Sequence, residues 1–405
     1  MTQPPGGTSS HTAGSAADAG AFVRDRSTVL SYAAIGGYAF WLYAFGPALA
    51  LLRAELHFSY AMVGVYSAVW AAGAAVVGVS FTWASRAFGR RAVLWWSALG
   101  AVGGAALFAI AHSVALTLAG AAVLGLAGIM VLTAAQSVLS DRHGPRRDRA
   151  LVEANIGAAA CAVAAPLTLG LLQGTPATWR AGMTLPAVVF AVLFLVYRRQ
   201  PLAAPAAGPV TGRRPAGLPL ACWLLALLVA MGIAIEFCIV YFGAELLTAT
   251  SGLSTAAAAT AMAVFYTGIL AGRTGAGVLM RRPRHTAGLL WASLAMTTAG
   301  FTAFWLSSHA VALAGLFAAG LGVANLFPLA LSLTLAAAPG HTDAANARTQ
   351  LLGGLTVIVA PFLLGSVADH VGLLAAFSVV PLLIALSGLL LLAAQAARHR
   401  GGGRR

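Results

Sequence analysis

Four ionisable side chains stand within long apolar stretches of this 405-residue chain: Glu153, Glu236, Arg273 and Arg348. In hydrocarbon such a group costs about 2.5–3.5 kcal/mol on insertion scales, so it is retained where it faces a cavity or a partner. Glu236 lies between Ile235 and Phe237, surroundings in which burial and a neighbouring cation together tune a carboxylate for proton or cation binding. Its other reading is a structural acceptor for a hydroxyl or amide of an adjoining helix. Arg348 carries a planar guanidinium that grips a carboxylate or phosphate through two parallel hydrogen bonds, which points to an anionic or zwitterionic ligand; a backbone carbonyl or Asp343 is its alternative partner.

No enzyme constellation accompanies these four. All 24 cationic residues are arginine and the chain has no lysine. That excludes a self-contained phosphate-binding P-loop and a lysine nucleophile. Cys161, Cys222 and Cys238 sit singly in apolar runs, with neither zinc-ligand spacing nor a disulfide framework. HExxH, GxSxG and GxGxxG do not occur in a suitable context. The chain reads as a non-enzyme, with no catalytic residue, metal or organic cofactor.

The elements that must position the four residues are membrane helices. Hydrophobic residues make up 60% and charged residues 8% of the chain, with a mean hydropathy of +0.87, where a soluble domain carries about a quarter charged residues. Twelve apolar blocks follow one another, each close to the roughly 20 residues that cross a bilayer. The first six span 28–52, 60–84, 92–112, 114–139, 150–173 and 181–198; the second six span 218–248, 255–280, 286–307, 310–337, 345–367 and 373–396. The spacing predicts an all-α membrane protein: a disordered tail over 1–27, a six-helix bundle over 28–198, a solvated linker over 199–217, a second bundle over 218–396, and a basic tail over 397–405. If the N-terminus is cytoplasmic, 20 of the 24 arginines fall on the cytoplasmic side, as topogenic charge requires. Both termini are therefore expected inside. The same distribution argues against a nucleic-acid-binding reading of the net charge of +14.

The halves superpose at an offset of 195 positions. Gly73 falls on Gly268, Gly125 on Gly320, Pro166 on Pro361, Gly170 on Gly365 and Pro186 on Pro381. Glu153 falls on Arg348, an acid and a base at equivalent places. Two like-oriented six-helix bundles form the parallel-repeat architecture of secondary transporters, with the substrate site between them near mid-membrane.

The sequence resembles the major facilitator superfamily. Ala84-Ser85-Arg86-Ala87-Phe88-Gly89-Arg90-Arg91 is similar to the family's signature after its second helix, with Arg86 where Asp is usual; Trp179-Arg180 and the stretch from Gly365 to Gly372 also look like it. The resemblance implies twelve helices in two pseudo-symmetric bundles whose moving interface involves the second, fifth, eighth and eleventh. It implies an inter-bundle gate at Glu153, Arg273, Arg90 and Arg91, in which Glu153 pairs with Arg273 when the cavity faces outward and parts from it when the cavity opens inward; simple capping or snorkelling at the interface is the alternative. It also implies a cavity lined by Tyr38, Trp41, Tyr43, Gln136, Tyr241, Asn325 and Arg348, although any of the aromatics can instead pack between helices. Gly100/Gly104 and Gly268/Gly272 form GxxxG pairs that close packing explains.

The expected function is transport of a small organic molecule by alternating access, driven by a proton gradient through Glu236 or Glu153. Export of a drug or metabolite is the first reading, and import of a small organic anion held by Arg348 is the alternative. A transporter-like sensor is a third. The expected setting is a monomer in the inner (plasma) membrane of a bacterium, with lipid and a small-molecule substrate as partners.

Overall fold

The computed structural model describes residues 22–202, 218–279, 286–338 and 341–402. The first half contains α1 (Arg26–Leu56), α2 (Tyr60–Phe88), α3 (Arg90–Ile110), α4 (Val114–His143), α5 (Arg147–Gln173) and α6 (Thr178–Tyr197). The second contains α7 (Leu220–Ser251), α8 (Thr255–Leu279), α9 (Thr286–Leu306), α10 (His309–Ala336), α11 (Thr342–Val371), the single turn α12 (Leu373–Ala376) and α13 (Val379–Gly402). Among the described residues, twelve helical segments are long and apolar enough to cross a bilayer, the twelfth running from α12 into α13.

Local chemistry sets several boundaries. Ser59 and Ser113 accept hydrogen bonds from the first turns of α2 and α4, satisfying backbone donors that a helix start leaves free. Gly89 turns the chain from α2 into α3 at φ 77°, a conformation that glycine adopts without a side-chain clash. Two expected boundaries shift. The N-terminal tail is fixed from Phe22 onward, and α13 runs on to Gly402, since no residue before the terminal glycines breaks it. The rest of the expected N-terminal tail, most of the linker (203–217) and residues 403–405 lie outside the described residues.

The repeat is visible as repeated packing. Gly73 lies against the backbone of Leu126 between α2 and α4, and Gly268 lies against Leu321 between α8 and α10. Gly125 meets Trp70, as Gly320 meets Phe265. The glycines bring paired helices into backbone contact, the usual device where lipid supplies no hydrophobic drive between helices. Gly170 and Gly365 instead cross between halves, the first packing on Thr260 of α8 and the second on Tyr60 and Ala61 of α2. The start of α1 and the end of α13 share one face of the molecule, here the terminal face; the turns after α1, α7 and α11 share the opposite, far face. α1 and α7 are the most enclosed helices.

Candidate functional site

Toward the far face the two halves are fastened to each other. Arg53 at the end of α1 bonds Glu245 of α7 at 2.8 Å, with the Arg53 guanidinium 3.7 Å from the centre of the Tyr60 ring. The Glu245 side chain is only 9% exposed, so the pair is largely desolvated. Both carboxylate oxygens of Asp369 on α11 accept backbone N–H groups from the first turn of α2, Tyr60 at 2.7 Å and Ala61 at 2.8 Å. A carboxylate there also complements the positive end of the helix dipole. Along the same seam Gly64 meets Phe362, and the Ser67 hydroxyl donates to the Val357 carbonyl at 3.1 Å. Gly46 of α1 lies against the Val240 carbonyl of α7.

Beyond Ser67 and Val357 the helices part. Ala71, Ala74, Ala75, Gly78 and Val79 of α2 then face Gln350, Leu351, Gly353, Gly354 and Leu355 of α11 across a cavity of about 750 Å³. The small residues on both walls make the room. The remaining walls come from Tyr43 of α1, Ile233, Glu236 and Phe237 of α7, Arg273 of α8 and Phe327 of α10. Three other grooves lie on the flank of the first half, lined by residues such as Val76, Trp96, Phe194 and Val189; none is lined by an acidic or basic side chain.

Two opposite charges line the central cavity. Glu236 is sixteen residues into α7, about 22 Å from its far-face end at 1.5 Å per residue. Arg273 is about 27 Å from the far-face end of α8 by the same measure, roughly one turn nearer the terminal face. No ion pair within 4 Å joins them among the described residues, yet they interact electrostatically, and Tyr43 from the other half neighbours both. The Tyr43 ring lies 5.0 Å from that of Tyr266. The Tyr266 hydroxyl is buried without a hydrogen-bond partner and senses the Glu236 charge. Asn325 donates from Nδ2 to the Gly272 carbonyl at 3.2 Å, bracing α8 one residue before Arg273.

Several expected site residues stand elsewhere. Glu153 does not meet Arg273 in this state, in which the far face is the sealed one and the expected pair would be parted. Glu153 accepts from Arg24 at 2.8 and 2.9 Å, Tyr32 at 3.1 Å and Arg149 at 3.2 Å, all in the first half. These partners lie at the start of α1 and on its own helix, whereas Gly170, about 25 Å further along α5, packs on Thr260 of α8. Arg90 forms an ion pair with Asp141 of α4 at 2.5 Å within the same half, and Arg91 is exposed without a described partner. Arg348 is exposed one turn below Leu351, outside the cavity lining, and pairs with no described residue; the side chain of Asp343 lies outside the described ones.

The aromatic and amide lining set also divides. Tyr38 packs its ring on Gly128, and Trp41 donates its indole N–H to the Met183 carbonyl at 2.8 Å while stacking on Phe190. Both are interior to the first half, because a buried indole needs an acceptor and the neighbouring helix offers one. Tyr241 is buried between Phe45 and Phe237, on the sealed side of Glu236. Gln136 is half-buried on α4 and Asn325 on α10, neither lining the cavity. Sequence reasoning passed over the Arg53–Glu245 latch and Tyr266. Glu245 falls within the block 218–248 and was legible as a fifth intramembrane charge; the orphaned Tyr266 hydroxyl has no sequence signal.

A bundle pair sealed at one end, open at the other, with charges in the central cavity defines a secondary transporter rather than an enzyme. The profile of the Major Facilitator Superfamily matches residues 30–312, and the chain belongs to that family. Its fold is similar to that of a bacterial homologue of the human lysosomal transporter Spinster, in an inward-facing and unoccupied conformation, with TM-score 0.76 and 15% identity over 92% of this chain and 97% of the other. It is also similar to a point mutant of the peptide transporter POT in complex with alafosfalin, with TM-score 0.74 and 18% identity over 92% and 95%. A point mutant of the nucleoside transporter NupG matches with TM-score 0.70 and 14% identity over 92% and 98%. No curated protein matches the chain.

Proposed function

We propose that the chain exports a small organic molecule in exchange for protons, with Glu236 as the proton site. The observation that carries this reading is that Glu236 lines the very cavity a substrate must occupy, with no cation within ion-pair distance among the described residues. A carboxylate in that place is held either by a proton or by the cationic part of a ligand. Mutual exclusion of the two is what couples opposite movements. The reading takes the arginine-rich terminal face as cytoplasmic, which makes this an inward-open state ready to load from within. The latch of Arg53 with Glu245 and the Asp369 cap of α2 then form the closed outer gate, and the inner membrane of a bacterium is the proposed setting.

Import of an organic anion with a proton is the second reading. Arg273, not Arg348, is the cation that favours it, since Arg273 lines the cavity. Proteoliposomes with an internal pH dye test both. Export predicts that substrate moving one way drives protons the other way, and that Glu236→Gln abolishes this flux while substrate still exchanges down its own gradient. Co-movement of proton and substrate in one direction favours import, and proton flux unchanged in Glu236→Gln refutes Glu236 as the proton site.

A further inference from the structure

We infer that the central cavity selects a zwitterion, a molecule with one ammonium and one carboxylate group on an apolar body, held between Glu236 and Arg273. The inference deepens the proposed transport reading and rests on it for the identity of the site.

The argument begins with the charge balance of the cavity. Glu236 and Arg273 line it from adjacent helices, α7 and α8, about one turn apart in depth, and do not meet within ion-pair distance. Had they been a structural pair they would have closed on each other, as Arg53 and Glu245 do at 2.8 Å. Held apart, each keeps hydrogen-bonding capacity facing the same cavity, Glu236 half-buried and Arg273 exposed on the open side beside Tyr43. A ligand with one charge would satisfy one wall and, by covering the other, take that group out of water unpaired, which is the expensive outcome. A ligand with both charges satisfies both. A neutral ligand satisfies neither.

The rest of the lining agrees. Phe237, Phe327, Leu351 and Leu355 offer apolar area, while the α2 wall is alanine, glycine and valine. An amphipathic body therefore fits better than a sugar-like one, whose many hydroxyls would find few partners. The orphaned Tyr266 hydroxyl, 1% exposed as a residue, lies behind the lining, its ring against that of Tyr43.

The test is equilibrium binding to purified protein at fixed pH, with no membrane and no gradient. Four probes share one aromatic body: phenylalanine, phenylalaninamide (ammonium only), N-acetylphenylalanine (carboxylate only) and N-acetylphenylalaninamide (neutral). The zwitterion is expected to bind roughly 10- to 100-fold more tightly than either singly charged probe, the range of one charged hydrogen-bonding partner. Glu236→Gln should bring phenylalanine and N-acetylphenylalanine to equal affinity, and Arg273→Gln should do the same for phenylalanine and phenylalaninamide. Equal binding of the four by the unaltered protein, tightest binding of a singly charged or neutral probe, or no binding of any, overturns the inference without needing either variant to fold. Because no gradient is present, a zwitterion preference with no proton flux in liposomes would sink the coupling reading and leave this one standing; proton flux with no charge preference would do the reverse.

Discussion

The two halves repeat each other in packing and differ in where they keep their charges. In the first half every acidic side chain with a described partner is tied near a membrane edge. Glu55 accepts from Arg180 at 2.6 Å and from the Trp179 indole at 2.5 Å, Asp141 pairs with Arg90, Asp25 with Arg142, and Glu153 with Arg24 and Arg149. Arg180 also donates to the Ala109 and Ala111 carbonyls at the end of α3, where a cation satisfies both the free acceptors and the helix dipole. The second half leaves an acid deep in the membrane and a base about one turn nearer the terminal face, unjoined. At the positions equivalent to Glu236 and Arg273 by the offset of 195, the first half has Trp41 and Gly78. One is a packing residue and the other supplies room. Pseudo-symmetry thus builds the container twice and equips it once.

The sharpest way to break that comparison is to remove the second half's arginine inside the cavity and, separately, the one outside it. Arg273→Gln should lower transport by 100-fold or more if it contributes a charged hydrogen bond of about 3 kcal/mol to the bound state. Arg348→Gln, outside the lining, should change it less than about threefold on the same scale. Initial-rate uptake of radiolabelled substrate into proteoliposomes measures both, and a reversed order would return the anion clamp to α11.

Next comes the latch that joins the halves. Arg53→Ala leaves Glu245 buried and unpaired, a change worth about 3–5 kcal/mol against the sealed far face. With the native cysteines removed, Ser67→Cys should then react far faster with a membrane-impermeant thiol reagent from the far side. The double change Arg53→Met with Glu245→Leu should recover most of the protection, because apolar replacement of a buried pair is often neutral. If Arg53→Ala alone leaves the rate unaltered, the latch is not what seals that face.

A smaller effect distinguishes the glycines of seam and cavity. A side chain at Gly365 would meet the Tyr60 carbonyl, whereas one at Gly78 meets nothing within 4 Å. Gly365→Ala is expected to destabilise by about 1–3 kcal/mol as overpacking does, and Gly78→Ala to leave thermal unfolding unchanged. Equal melting shifts would contradict the assignment of Gly365 to a close contact.

The smallest effect lies at the ordered start of the chain. Burial by itself would lift the Asp25 carboxyl, but hydrogen bonds from Thr28 and the Arg142 guanidinium outweigh it and hold the group below the ordinary carboxylate range. Its contribution is therefore complete above the unfolded value of about 3.9 and disappears as pH falls through the lower folded value. Asp25→Asn should remove less than about 1 kcal/mol at neutral pH, as partly exposed pairs do. The difference from the unaltered protein, followed by thermal unfolding, should vanish in strong acid.

Much of this architecture was legible from residue order. Apolar blocks of about 20 residues separated by arginines define membrane helices because unpaired backbone cannot cross lipid in any other open form. The offset of 195 singled out Gly73, Gly125, Gly170 and Gly365, which do make close helix contacts, since only a missing side chain permits them. Glu236 and Arg273 were recognisable as costly charges in apolar runs. Their neighbours were not. Whether Trp41 or Tyr43 faces the cavity depends on the rotation of α1 against α6 and α7, and both residue types fill a core as readily as a lining. Glu153 and Arg273 carry complementary charges and suggest a pair for one state of the cavity, whereas in this state Glu153 is held by Arg24, Tyr32 and Arg149. Charge, hydropathy and repeat are properties of the chain and survive any packing. Which of two compatible partners a side chain meets is decided by helix rotation and depth, and those arise only when all twelve helices pack together.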